Sequence, residues 1–147
     1  MSKVSAIYHL VINTYERKDT LPLNHREKLY RFIWDFLKVN HCYLYRINGT
    51  ENHVHILFNL HQERSLAWIV GELKRRSCRW LKEIGYFPKF DNWSKEYFAF
   101  TCEQDSLKQR IEYIKNQLEH HSKIKFEDEM KNLCKENYIE WKDIYLG

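Results

Sequence analysis

The stretch "HCYLYRINGTENHVHILFNL", residues 41–60, contains two strand-like runs on either side of "NGTE". Asn48-Gly49 is a strong hairpin signal, so the two runs are expected to pair as antiparallel strands. In the second run a period of two puts Val54, Ile56, Phe58 and Leu60 on one face, and His53, His55, Leu57 and Asn59 on the other. The first set is wholly apolar and calls for a covering helix. The second carries two imidazoles about 7 Å apart along the strand, close enough to converge on one cation. Two strand histidines making ordinary hydrogen bonds would look the same.

On the N-terminal side, "VSAIYHLVINT" (4–14) is rich in β-branched and aromatic residues and reads as a strand. "LNHREKLYRFIWDFLKVN" (23–40) follows, with Leu23, Leu29, Phe32, Ile33 and Phe36 at helical spacing and Asn24 as the expected N-cap. On the C-terminal side, "SLAWIVGELKRRSCRWLKEI" (65–84) has Ser65 as its expected cap and Leu66, Ile69, Val70, Leu73 and Trp80 on a helical period. "GYFPKFDNWSKE" (85–96) reads as a loop and "YFAFTCE" (97–103) as a short strand. The order β-α-β-β-α-β, with a third helix after it, predicts an α+β, ferredoxin-like antiparallel sheet. A single domain over 1–147 is expected, with residues 126–147 as a short helix and tail.

The third helix holds "IEYIKNQLEHH" (111–121). Leu107, Ile111, Ile114 and Leu118 make its apolar stripe. At 100° per residue, Tyr113, Gln117 and His120 share one edge of that stripe. A semi-buried tyrosine with polar neighbours gives the same pattern. Taken with "HVH", however, the chain offers two imidazole nitrogens, an amide oxygen and a phenol. That ligand set suits Mg²⁺ or Mn²⁺, with Zn²⁺ also acceptable to the imidazoles. A phenol beside such an ion could attack a phosphorus whose charge the ion withdraws.

The composition is that of an ordinary globular chain, 44% hydrophobic and 30% charged, with a net charge of +4 that mildly favours polyanions. Lys74, Arg75, Arg76 and Arg79 crowd one helix and are candidate phosphate contacts, or simply a solvated face. Trp93, in the polar loop, could stack on an extruded base or cap the core. The four cysteines form no CxxC pair, and the longest apolar run near the N-terminus is too short to span a bilayer. An intracellular protein with reduced thiols is expected.

"NHVHILFNL", "LAWIVGELKRRSCRWL", "WSKEYFAF" and "IEYIKNQLEHHSKIKFEDEM" resemble, in order, the single-tyrosine HUH transposases of the insertion-sequence type, including the REP-associated tyrosine transposases. The resemblance implies that His53, His55 and Gln117 hold a divalent metal, Mg²⁺ or Mn²⁺, and that Tyr113 is the nucleophile. It implies cleavage and rejoining of single-stranded DNA with a hairpin, through a 5′-phosphotyrosine, without a nucleotide cofactor. It also implies a homodimer. His120 and His121 match the family pattern and are candidates for contacting DNA or supporting the metal. Two other readings remain open on the residues alone: a module of the same fold that binds nucleic acid without cleaving it, and a hydrolase using metal-activated water.

Overall fold

The structure is a computed structural model, and it describes residues 2–117 and 125–141. Strands β1 (Ile7–Asn13), β2 (Tyr43–Gly49), β3 (His53–Asn59) and β4 (Phe98–Thr101) form one antiparallel sheet in the order β2-β3-β1-β4. With helices α1 (Arg26–Val39) and α2 (Leu66–Ile84) as the crossovers, this is the expected ferredoxin-like arrangement. Two further helices follow, α3 (Leu107–Lys115) and α4 (Phe126–Glu136).

The alternation in the central strands sorts the molecule into layers. Leu10 and Ile12 of β1, with Val54, Ile56 and Phe58 of β3, pack under α1 and α2. On the opposite face, Leu57 and Ile7 meet Ile114 of α3, while Val11, Phe98 and Phe100 meet Phe126, Met130 and Leu133 of α4. Both faces of the sheet are therefore covered. The two histidines of β3, which could have been half-exposed, have no exposure at all.

The hairpin forms with its reversal displaced from the expected place. Asn48 and Gly49 pair with His55 and Val54 inside the ladder, and the chain turns over Thr50–Asn52, where Thr50 N–H donates to His53 C=O at 2.9 Å. Gly49 is needed for closeness: a Cβ there would lie 2.3 Å from the His53 carbonyl oxygen. Asn48 has a different use. Its amide nitrogen donates to the carbonyls of Ile114 and Lys115, at 3.1 and 3.0 Å, satisfying two groups that the end of α3 leaves without helical partners. Asn48→Ala removes both bonds and is expected to cost about 1–2 kcal/mol in urea denaturation.

The start of α1 also differs from the expectation. Residues Leu23–His25 form a 3-10 turn, His25 occupies the cap position without a side-chain cap bond, and Leu23 is exposed. Asn24 therefore caps nothing. The entry is fixed instead by Arg26, whose buried guanidinium donates twice to Leu21 C=O, and by Thr20 and Leu21 N–H groups bonded to Glu51 C=O. Ser65 caps α2 as expected, accepting from Trp68 N–H at 3.0 Å, and Gly85 ends it in the left-handed region at φ 85°. Among the described residues, no helix is long and apolar enough to cross a membrane.

Candidate active site

β3 projects His53 and His55 from the face that α3 and α4 cover, and their ring centroids are 5.1 Å apart. α3 brings Tyr113 and Gln117 to the same place. Gln117 Nε2 lies 3.2 Å from His53 Nε2, and the Tyr113 ring meets the His55 ring edge-on at 5.9 Å. The four side chains singled out in the sequence are thus gathered in one cluster.

A fifth completes it. Glu129 of α4, only 6% exposed, accepts from Tyr113 Oη and from Gln117 Nε2, and its oxygens lie 3.4 Å from His53 Nε2 and 3.6 Å from His55 Nε2. Nitrogen and oxygen atoms of His53, His55 and Glu129 lie within 4.8 Å of one another. By sign alone Glu129 is one of several acidic residues in the C-terminal part. By position it is not: it falls between Phe126 and Met130 on the buried stripe of an amphipathic helix, where an unpaired carboxylate would be costly.

The electrostatics follow from burial. Burial is the largest influence on Glu129 and pushes its pKa up, yet the hydrogen bonds and charges of His53 and His55 together carry it well below the usual carboxylate range. Tyr113 moves the other way, far above the phenol range, first through burial and then through the Glu129 carboxylate beside it, with Arg110 opposing. In this arrangement the phenol keeps its proton. Lowering its pKa requires the charge on Glu129 to be compensated.

Two polar atoms in the cluster are buried with no hydrogen-bond partner, His55 Nε2 and Gln117 Oε1. Buried polar atoms are rarely left this way. His53 is oriented from behind: its Nδ1 lies 2.7 Å from Asn52 Oδ1 and 2.9 Å from Thr50 Oγ1. With Nδ1 held by Asn52 and Thr50, the ring presents Nε2 to Glu129 and Gln117. Two imidazoles, a carboxylate and an amide form a donor set that fits Mg²⁺ or Mn²⁺. Gln117 now turns its NH₂ toward Glu129, so a half-turn of the amide would be needed to offer its oxygen.

Behind His55 stands His9 of β1, fully buried, its Nε2 2.7 Å from His55 Nδ1. Burial pulls the His9 pKa well down, with His55 and Arg110 pulling the same way. Arg110, one turn before Tyr113 on α3, places Nη1 2.8 Å from His9 Nδ1. Neither His9 nor Arg110 stands out in the sequence, although their places were legible: His9 is two residues from Val11, opposite the Leu10 and Ile12 face, and Arg110 precedes Tyr113 by three.

The other candidates are placed elsewhere. Trp93 is buried at 4% exposure, with its indole N–H donating to Ser77 Oγ at 2.8 Å, so it caps the core and its ring is withdrawn from any base. Lys74 folds onto the carbonyls of Ser94, Lys95 and Glu96, and burial lowers its pKa to about 8. Arg75 and Arg76 pair with Glu72, and Arg79 is exposed. All four lie on α2, which packs on the sheet face opposite the histidines, so the structure does not bring them to Tyr113. His120 and His121, with Leu118, lie outside the described residues.

The profile of the family described as "Transposase IS200 like" matches residues 2–117, and the chain belongs to that family. The match ends at Gln117, short of α4 and Glu129. Among solved structures, the chain is similar to a provisionally assigned transposase from Deinococcus radiodurans R1, with 23% identity and a TM-score of 0.62 over 80% of this chain and 95% of that one. It is also similar to a REP-associated tyrosine transposase bound to a REP hairpin, with 14% identity and a TM-score of 0.64 over 85% of this chain and 77% of that one. At such identities the likeness shows the shared α+β fold. No curated protein matches the chain.

Proposed function

We propose that this transposase cleaves and rejoins single-stranded DNA through a phosphotyrosine on Tyr113, with a divalent cation held by His53, His55 and Glu129 and joined by Gln117. The observation that carries this reading is the convergence of the Tyr113 hydroxyl and both histidines on one buried carboxylate. When bound, the cation would supply charge neutralisation at Glu129 and at the phosphate oxygens.

The protein's own groups then have defined tasks. Tyr113 Oη releases its proton to solvent and forms a bond to phosphorus, while the bond to the 3′-oxygen breaks and that oxygen takes up a proton from solvent to become a 3′-hydroxyl. The 5′ end stays on the tyrosine. The energy of the phosphodiester is kept in that ester, so a 3′-hydroxyl can attack it to rejoin strands without a nucleotide cofactor. Asn52 and Thr50 hold the His53 ring, and α4 keeps bulk water from the cluster.

DNA with a hairpin is the proposed substrate, by analogy with the relative solved on a REP hairpin. Joining two cut ends needs two tyrosines, and a pair of copies is the proposed working unit. The test is incubation of the protein with a pool of single-stranded hairpin oligonucleotides. With Mn²⁺, a protein–DNA adduct that survives boiling in detergent is expected; with excess EDTA, none. Cut DNA with both ends free of protein would point instead to a hydrolase, and tight binding without any cutting to a binding module.

A further inference from the structure

Tyr113 and Arg110 line a cleft of about 380 Å³ between α3 and α4, whose walls also carry Gln109, Asn132 and the carboxylates of Glu129 and Glu136. Arg110 is partly exposed there, one helical turn from the phenol. Among the described residues it pairs with no carboxylate, unlike Arg75 and Arg76 on α2 or Lys131 on α4. Its one hydrogen bond among the described residues is to an imidazole nitrogen, His9 Nδ1 at 2.8 Å, and that leaves most of its five N–H groups for another acceptor. His9 cannot move aside to suit it, being fully buried within β1 and itself bonded to His55.

A guanidinium that forms no ion pair among the described residues, at the mouth of a cleft that also contains the nucleophile, is matched to an oxyanion. Its planar fork recognises phosphate through paired hydrogen bonds, which a lysine cannot reproduce. We propose that Arg110 is a catalytic residue that grips a non-bridging oxygen of the phosphate attacked by Tyr113, and that His9 is the positioning residue that aims it. This deepens the phosphotyrosine reading and rests on it. As phosphorus takes on the tyrosine oxygen, negative charge gathers on its equatorial oxygens, and Arg110 donates where that charge grows. His9 touches no DNA; it holds Arg110 on one side and His55 on the other.

The test compares adduct formation by the full chain on the hairpin pool with Mn²⁺. Arg110→Ala is expected to slow it about 100-fold, the loss typical of a missing charge-stabilising donor. Arg110→Lys keeps the charge without the fork and falls between the two. Millimolar guanidinium chloride is expected to restore part of the Arg110→Ala rate, which a purely structural role would not allow. Mn²⁺ affinity by calorimetry and thermal midpoint stay near those of the wild type. For His9, the Asn variant retains an oxygen near the Nδ1 position and keeps most of the rate, whereas His9→Leu falls to the level of Arg110→Lys.

Arg110→Ala reacting at the wild-type rate overturns the grip, as does a loss that follows an equal loss of Mn²⁺ binding. Equal rates for His9→Asn and His9→Leu overturn the positioning role, as does a His9→Leu loss that follows weakened Mn²⁺ binding through His55. A wild type that forms no adduct brings down the underlying phosphotyrosine reading, and that result is distinguishable from either of these.

Discussion

Tyr113→Phe should abolish the DNA adduct while leaving the protein folded and able to bind the hairpin pool. The ring packs edge-on against His9 and His55, with centroids at 6.0 and 5.9 Å, and phenylalanine preserves both contacts. What is lost is one oxygen, the only atom of this side chain that can become a nucleophile. Glu129 keeps its bonds from Gln117 and its neighbours His53 and His55, so no buried charge is abandoned. The expected readout is adduct below detection on a gel, with a thermal midpoint close to that of the wild type and an unchanged affinity for the pool. Adduct at undiminished yield would remove Tyr113 from the mechanism.

His55→Ala is expected to have the next largest effect, at the cation. Loss of a residue that merely supports a metal ligand costs about 10–100-fold in affinity, and removing a ligand itself should cost at least the upper end of that range. Calorimetric titration with Mn²⁺ should therefore show affinity weakened by about 100-fold or more, and adduct formation should fall with it until Mn²⁺ is raised to compensate. Glu129→Gln provides the comparison. It keeps the shape but removes the charge that His53 and His55 face, so affinity should fall there too, though the residue lies outside the stretch matched by the family profile. Unchanged Mn²⁺ affinity in His55→Ala would place the ion elsewhere.

The layers of this fold were legible because they depend on local alternation. The Val54, Ile56 and Phe58 face of β3, the helical periods around Leu29 and Leu73, and the cap at Ser65 are each set by neighbouring residues, and each is found where the pattern puts it. Asn48-Gly49 shows the limit of that logic. The pair announced a hairpin correctly, but its residues serve a close backbone approach and the end of a helix 66 residues away. The site was legible where its residues share an element, His53 with His55 and Tyr113 with Gln117. It was not legible where three elements meet. Glu129, His9 and Arg110 gain their roles from strand register and helix docking, which spacing does not encode. Trp93 and Lys74 were overvalued for the same reason, since a polar loop that folds back over α2 turns an apparent surface into an interior.

The hydrogens between Arg110 and His55 run in one direction. Arg110 can only donate, so His9 Nδ1 accepts, and His9 Nε2–H then donates to His55 Nδ1. His53 is held differently, its Nδ1 lying between Asn52 Oδ1 and Thr50 Oγ1. The twin histidines are therefore oriented by different neighbours, His53 by the turn between β2 and β3 and His55 by β1. The rim of the cleft and its centre are thus tied together: a change of hydrogen placement at His55 is felt, through His9, at Arg110.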